Sequence, residues 1–214
     1  MADQKSSRRY SSSLRAEQAA ATRERVVHAA AELFAARGYA GTSMPEIARR
    51  AGVSTETVQS HGPKSALLRA AIDAFAFGAD KDADARETNL GARLLTASSP
   101  TEAVDFAVDI LTQVNAATHG LWLAFSEAAR TDEEIADAFR QLGAGIRMQN
   151  VIMLEEWTTR GYLREDVGFD DLVDRSVLVT SVEMYDRAIR VEGMTPENYR
   201  RLLTELLSAL VVST

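Results

Sequence analysis

The chain of 214 residues contains no cysteine, only four prolines and three histidines, and only 7% aromatic residues. Each shortage removes a class of protein. Without cysteine there is no disulfide scaffold, thiolate zinc site, iron–sulfur cluster or cysteine nucleophile, which fits a reducing compartment. His28, His61 and His119 are a thin supply of general bases, and none stands in the His-x-x-x-His or Glu-x-x-His spacing that holds a metal. No glycine-rich loop is placed to cradle a phosphate. Glu155-Glu156 and Asp170-Asp171 are adjacent carboxylates, which point apart on a helix. An enzyme, a metal site and a cofactor are therefore not expected. No apolar run approaches the ~20 residues that span a bilayer. The start MADQKSSRRYSSSLR has no apolar segment behind its basic residues, so it does not read as a signal peptide. The default expectation is a cytoplasmic protein without membrane contact.

What is present is an ordinary globular balance, 46% hydrophobic and 26% charged. Ala, Leu, Glu and Arg are abundant and apolar residues recur every three or four positions, which predicts an all-α fold. The periodicity places helices near 18–37, 44–51, 55–61, 64–86, 101–118, 120–129, 132–160, 170–191 and 196–211, with weaker helical character near 90–97. Ser43-Met-Pro-Glu46, Ser99-Pro-Thr-Glu102 and Thr131-Asp-Glu-Glu134 have the capping-box spacing. Thr195-Pro196 is a fourth start, and Gly38, Gly52, Gly161 and Gly193 follow helix ends. Residues 1–17, rich in Ser and Arg, read as a basic arm disordered in isolation. The formal net charge of −7 is unevenly spread: residues 1–65 hold ten basic against six acidic groups, a net +4, which leaves −11 for the remainder. A basic head on an acidic body fits a polyanionic partner for the head alone.

Residues 43–61 carry the function. A short capped helix ends at Ala51, Gly52 turns the chain, Val53 plugs the corner and Ser54 caps a second short helix. Ala48 is small where two steeply crossed helices approach, and Ile47, Ala51, Val53 and Val58 can form one buried cluster. Helix 18–37 offers Val26, Ala30, Leu33 and Phe34 as a cover. This is the pattern of a helix-turn-helix, whose second helix enters the major groove. With Val58 facing inward, Thr55, Thr57, Gln59, Ser60 and His61 are left to face DNA. Thr55, Gln59 and Ser60 are candidate base readers, and Thr42, Thr57 and Lys64 candidate phosphate anchors. Ser43 and Ser54, at the two helix starts, are further candidate DNA contacts. Glu56 would repel phosphate and is better explained as a helix-start acid. Arg8, Arg9 and Arg15 are candidates for added phosphate or minor-groove contacts.

As a set, Val26-Val-His-Ala-Ala-Ala-Glu-Leu-Phe34, Arg37-Gly-Tyr39, Gly41-Thr-Ser43, Ile47-Ala48, Ala51-Gly-Val-Ser54 and Lys64-Ser-Ala-Leu-Leu68 resemble the DNA-binding domain of the TetR family of one-component transcriptional regulators. The likeness covers about residues 22–68. It departs in one place: Gln59 stands where relatives commonly carry Tyr, the apolar residue expected after His61 is missing, and the stretch to Lys64 is one residue short. The resemblance implies a DNA-binding domain over 18–64 and an effector-binding and dimerisation domain over 65–214. It further implies a homodimer on a palindromic double-stranded DNA operator, released by a small-molecule effector. A ligand core formed by the helices from 64 to 160 and a dimer made by the last two long helices are likewise implied. The apolar faces of 170–191 and 196–211 agree with such a four-helix interface. Phe106, His119, Trp122, Phe125, Met148, Met153, Trp157, Met184 and Tyr185 are candidate linings for a hydrophobic or aromatic effector. His119, Arg147 and Gln149 are the polar candidates. The competing readings are a helical adaptor that binds protein and, behind it, an enzyme using the C-terminal pocket.

Overall fold

The computed structural model describes residues 3–76 and 96–211, and among these there are helices and no strands. Helix α1 spans Asp3–Arg37. The sequence pattern places its start near residue 18, but no Gly or Pro interrupts the stretch before it, so from Asp3 the expected arm is the beginning of α1. The expected helices of the head follow as α2 (Met44–Ala51), α3 (Thr55–Gln59) and α4 (Lys64–Ala76). The continuation of α4 to 86, and all but the end of the stretch near 90–97, lie outside the described residues. The body then contains α5 (Pro100–Ala128), α6 (Glu133–Thr159), α7 (Phe169–Val179), α8 (Val182–Asp186) with a π-helical turn at Arg187–Val191, and α9 (Pro196–Val211).

Three features of the body differ from the sequence pattern. Gly120 does not break α5, which passes straight through it. A Cβ there would stand 2.6 Å from the Ala35 carbonyl oxygen, so the glycine serves close approach of α1 to α5 rather than a turn. Helix α6 is capped by Asp132, whose Oδ1 accepts the Ile135 N–H at 3.1 Å, and not by Thr131. The expected single helix 170–191 stops at Thr180, and Ser181 caps a new one by accepting the Met184 N–H. The carbonyl of Thr180 is not left bare inside the fold, because the buried Asn115 amide of α5 donates to it at 3.2 Å.

The other caps follow the expected chemistry. Ser99 accepts from the Glu102 N–H, although the Glu102 carboxylate returns to Ser98 rather than to Ser99. Thr195 accepts from the Asn198 N–H. At the other end of α9, Arg164 donates to the Ala209 carbonyl at 2.8 Å while its backbone N–H reaches Val211, satisfying carbonyls that a helix end leaves open.

Buried side chains form two separate cores. The first runs from Val26 to Ile72 and includes Leu121, Ala124, Phe125 and Ala128 of α5 and Ile135 and Leu142 of α6. The second joins Ala103, Val104, Ala107 and Val108 of α5 to Leu154 and Trp157 of α6, Leu172 and Val173 of α7, and Tyr199, Leu203, Leu207 and Val211 of α9. Each fully buried large apolar side chain contributes about 1.5–3 kcal/mol relative to an exposed one. The inward row of α9 is completely covered within one chain, so its wide apolar face is used inside the subunit first.

Candidate nucleic-acid interface

The head is built around Ile47 and Val58, both with no exposed surface, packed under Val26, Ala30 and Phe34 of α1. Helix α2 begins with the capping box read in the sequence: the Ser43 backbone N–H and hydroxyl both donate to the Glu46 carboxylate, at 3.1 and 2.7 Å. These bonds, the hydroxyl first, hold the Glu46 carboxyl below the usual carboxylate range, with help from Arg37 and Arg49. Helix α2 ends at Gly52 in the left-handed region (φ 69°), and the Val53 N–H closes back on the Ala48 carbonyl at 3.0 Å. That is a Schellman ending, and it delivers the chain directly to Ser54. The Ser54 hydroxyl accepts the Thr57 N–H at 3.1 Å and starts α3.

Val58 points inward from α3, and Glu56, Gln59 and Ser60 are exposed while Thr55, Thr57 and His61 are half-buried. The hydroxyls are partly committed: Ser60 donates to the Thr57 carbonyl, and Thr57 lies 3.1 Å from the Ser54 oxygen. Gln59 extends an exposed amide from the end of the helix, with both a donor and an acceptor to offer. Glu56 is held below the ordinary carboxylate range by its own backbone N–H and by Ser54, as a helix-start acid would be.

Two expected phosphate anchors have other employment. Thr42 is buried, and its hydroxyl donates to the Gly38 carbonyl at 2.9 Å. Lys64 Nζ donates to the Tyr39 and Thr42 carbonyls at 2.8 and 3.1 Å and lies 4.1 Å from the centre of the Tyr39 ring. Both therefore shape the α1–α2 turn, with one ammonium proton of Lys64 left over. The shortened end of α3 also finds its explanation. Gly62 adopts φ 115°, and Pro63 supplies the first carbonyl of α4 to Leu67, so a positive-φ glycine makes the corner with one residue fewer. The side chains of Arg8, Arg9 and Arg15 lie outside what the structure describes.

Basic groups that the motif did not single out surround this surface. Arg50 pairs with Glu32 at 2.5 Å and Arg37 with Glu46 at 2.5 Å, while Arg49 is 77% exposed with only a 4.0 Å contact to Glu46. The pairing of Arg37 with Glu46 and of Arg50 with Glu32 across α1 and α2 needs the fold to be seen; so does the exposure of Arg49, which the sequence shows only as a basic residue three positions after Glu46.

The candidate effector residues are divided between the cores. Trp122 and Phe125 belong with Phe139 to the first, with ring centres 4.9 and 5.4 Å from it, and the Trp122 indole donates to Glu183 at 2.8 Å. Phe106, Met153, Trp157 and Tyr185 belong to the second. His119 stands between them, 5.5 Å from Tyr185, and Met184 is half-buried on α8. Met148 is 57% exposed and Arg147 pairs with Asp174 at 2.6 Å, so these two face outward from the subunit rather than into it. Among the described residues no group of three or more His, Asp or Glu is arranged to hold a metal, and no helix is long and apolar enough to cross a membrane.

Residues 26–71 match the family described as bacterial regulatory proteins, tetR family. No curated protein matches the chain. Among solved structures, the chain resembles a transcriptional regulator from Saccharomonospora viridis in complex with choline, at 18% identity and TM-score 0.72, covering 91% of this chain and 100% of that one. It also resembles a TetR-family transcriptional regulator from Syntrophomonas wolfei at 16% identity and TM-score 0.68, over 88% and 94% of the two chains. A complex of SmeT with triclosan shares 17% identity at TM-score 0.68, over 90% and 92%. These likenesses extend the shared fold through the body.

Proposed function

We propose that the chain, whose residues 26–71 match the tetR family of bacterial regulatory proteins, is a DNA-binding transcriptional regulator rather than an enzyme, and a homodimeric repressor. It binds a palindromic operator and is released by a small hydrophobic or aromatic effector in the cytoplasm. The observation that carries the reading is the presentation of α3: one buried anchor, Val58, beneath an exposed Gln59 and Ser60, on a helix too short to bury a face of its own. Two such helices at a spacing of ~34–36 Å meet successive major grooves. Gln59 reads an adenine edge or a phosphate, and Thr55, Thr57, Ser60, His61, Ser43 and the remaining proton of Lys64 complete the contact surface. Acidity in the body confines the polyanion to the head.

Dimerisation through α7 to α9 is supported by what those helices leave uncovered. Leu178 is 70% exposed and Val191 61%, and Leu202 and Leu206 are half-buried beside the internal row of α9. An effector is supported by the two similar structures that hold choline and triclosan. Effector binding shifts the population toward a head spacing that no longer fits the operator.

Selection from random-sequence duplexes tests the reading. An enriched palindrome is expected, with Gln59→Ala weakening it by about 1–3 kcal/mol and relaxing one base position. No enrichment at low salt sinks the repressor and favours the protein-binding adaptor.

A further inference from the structure

The first core does not stop where the helix-turn-helix stops. It crosses into the elbow between α5 and α6, residues 121–142, through Leu121, Ala124, Phe125, Ala128, Ile135 and Leu142. Small residues bring α1 onto α5: Ala124 and Ala128 follow Gly120 by one and two turns and are each 1% exposed. At the end of this contact the Glu127 carboxylate accepts the Tyr39 N–H at 3.3 Å. Gly38 makes room for it, because a Cβ at Gly38 would stand 2.9 Å from that carboxylate oxygen. The Tyr39 carbonyl is held from the other side by Lys64. One residue of the α1–α2 turn is thus gripped through its N–H by the elbow and through its carbonyl by α4, four residues before Ser43, the cap of α2.

The second core begins on the far side of a polar layer. Asn115, Asn150, Ser176 and Thr180 are buried there. Asn115 donates to the Thr180 carbonyl, Ser176 donates to Asn150 at 2.7 Å, and Thr180 donates to the Ser176 carbonyl. Gln149 Oε1 is buried beside this level without a partner among the described residues. Close-packed apolar cores resist deformation, whereas this layer is held by a few directional hydrogen bonds and contains one buried acceptor, Gln149 Oε1, unpaired among the described residues, which makes it the less completely satisfied level of the body. Both long helices, α5 and α6, cross that layer near their middles.

We propose that the head and the α5–α6 elbow move as one unit, hinged to the rest of the body across this polar layer, with Glu127 as the positioning residue that fixes the α1–α2 turn to the elbow. The inference deepens the proposed function by locating its moving boundary, and rests on that reading for its use in DNA release. The boundary is then not the sequence boundary at 64/65 but a seam through the middles of α5 and α6.

Hydrogen exchange read by peptide mass spectrometry on the full chain tests the unit without DNA. Ile47→Val is expected to raise exchange about fivefold in both 26–72 and 121–142 while leaving 103–108 and 154–207 unchanged. Ile47→Ala, which opens the head completely, should unprotect the elbow with it. A loss of protection confined to 26–72, or spread equally through 154–207, overturns the proposal. For Glu127, Glu127→Ala should raise exchange across 38–50 several-fold with little change in melting temperature, and Glu127→Gln, whose amide oxygen still accepts, should restore it. Unchanged exchange in Glu127→Ala removes the positioning role. On a selected operator the same variant should lower the ratio of specific to mixed-sequence affinity about tenfold, an effect that a general loss of stability does not produce. If no operator is selected, the repressor reading fails while the exchange result still decides the hinge.

Discussion

The two cores are packed on different principles. The first sets eight alanines, Ala29, Ala30, Ala31, Ala48, Ala51, Ala71, Ala124 and Ala128, among twelve larger residues such as Phe34 and Phe125. The second depends on Trp157, Tyr185, Tyr199 and a ladder of leucines. Alanine brings backbones together and leaves little freedom to repack, so the head keeps the geometry that a fixed duplex demands. Large side chains fill volume through their own rotamers, so the second core depends on their bulk. The second core also admits polar groups: burial pushes the Tyr199 phenol up, an effect opposed by its bond with Asn115. On the proposed function, close backbone packing suits the DNA-reading head and volume-filling side chains suit an effector-binding body.

Three substitutions sharpen that contrast. Trp157→Ala should have the largest effect, about 3–5 kcal/mol in urea unfolding, because it opens a cavity in the volume-filled core; a loss below about 1 kcal/mol would mean that this core collapses freely. Gly120→Ala should cost about 1–3 kcal/mol, since its methyl group meets the α1 backbone rather than a yielding side chain. A neutral result there would break the comparison by showing that the first core has slack. The smallest effect is electrostatic. The folded Glu46 carboxyl lies below its ordinary value of 4.5, so its contribution is fully present above that value and is lost as pH falls through the depressed one. Glu46→Gln should therefore melt below the parent at neutral pH, with the gap closing below about pH 4; a gap constant from neutral to acid pH would remove the charge from the explanation.

The head was the more legible half because its instructions are local. Ser43 with Glu46, Gly52 with Val53, and Ser54 with Thr57 each act within a few residues, so spacing alone reveals them. The body obeys partners far away in sequence. Gly120 looks like a helix break until Ala35 is seen against it, and the interruption at Thr180 depends on an amide at position 115. The sequence marks Lys64 and Thr42 as phosphate anchors, and their bonds to the α1–α2 turn appear only once the chain has folded back on itself. Exposure of Met148 and Arg147 was equally hidden, because periodicity marks a helix face without saying whether a neighbour covers it.

The interruption between α7 and α8 also constrains how the chain can change over generations. Asn115 earns its place by serving one carbonyl that a continuous helix would never expose. In relatives where the helix runs on through the counterparts of Thr180 and Ser181, the counterpart of Asn115 keeps at most a tyrosine hydroxyl such as that of Tyr199 to serve, and should be apolar where that tyrosine is missing too. The two sites, 65 residues apart, are expected to be inherited as a pair.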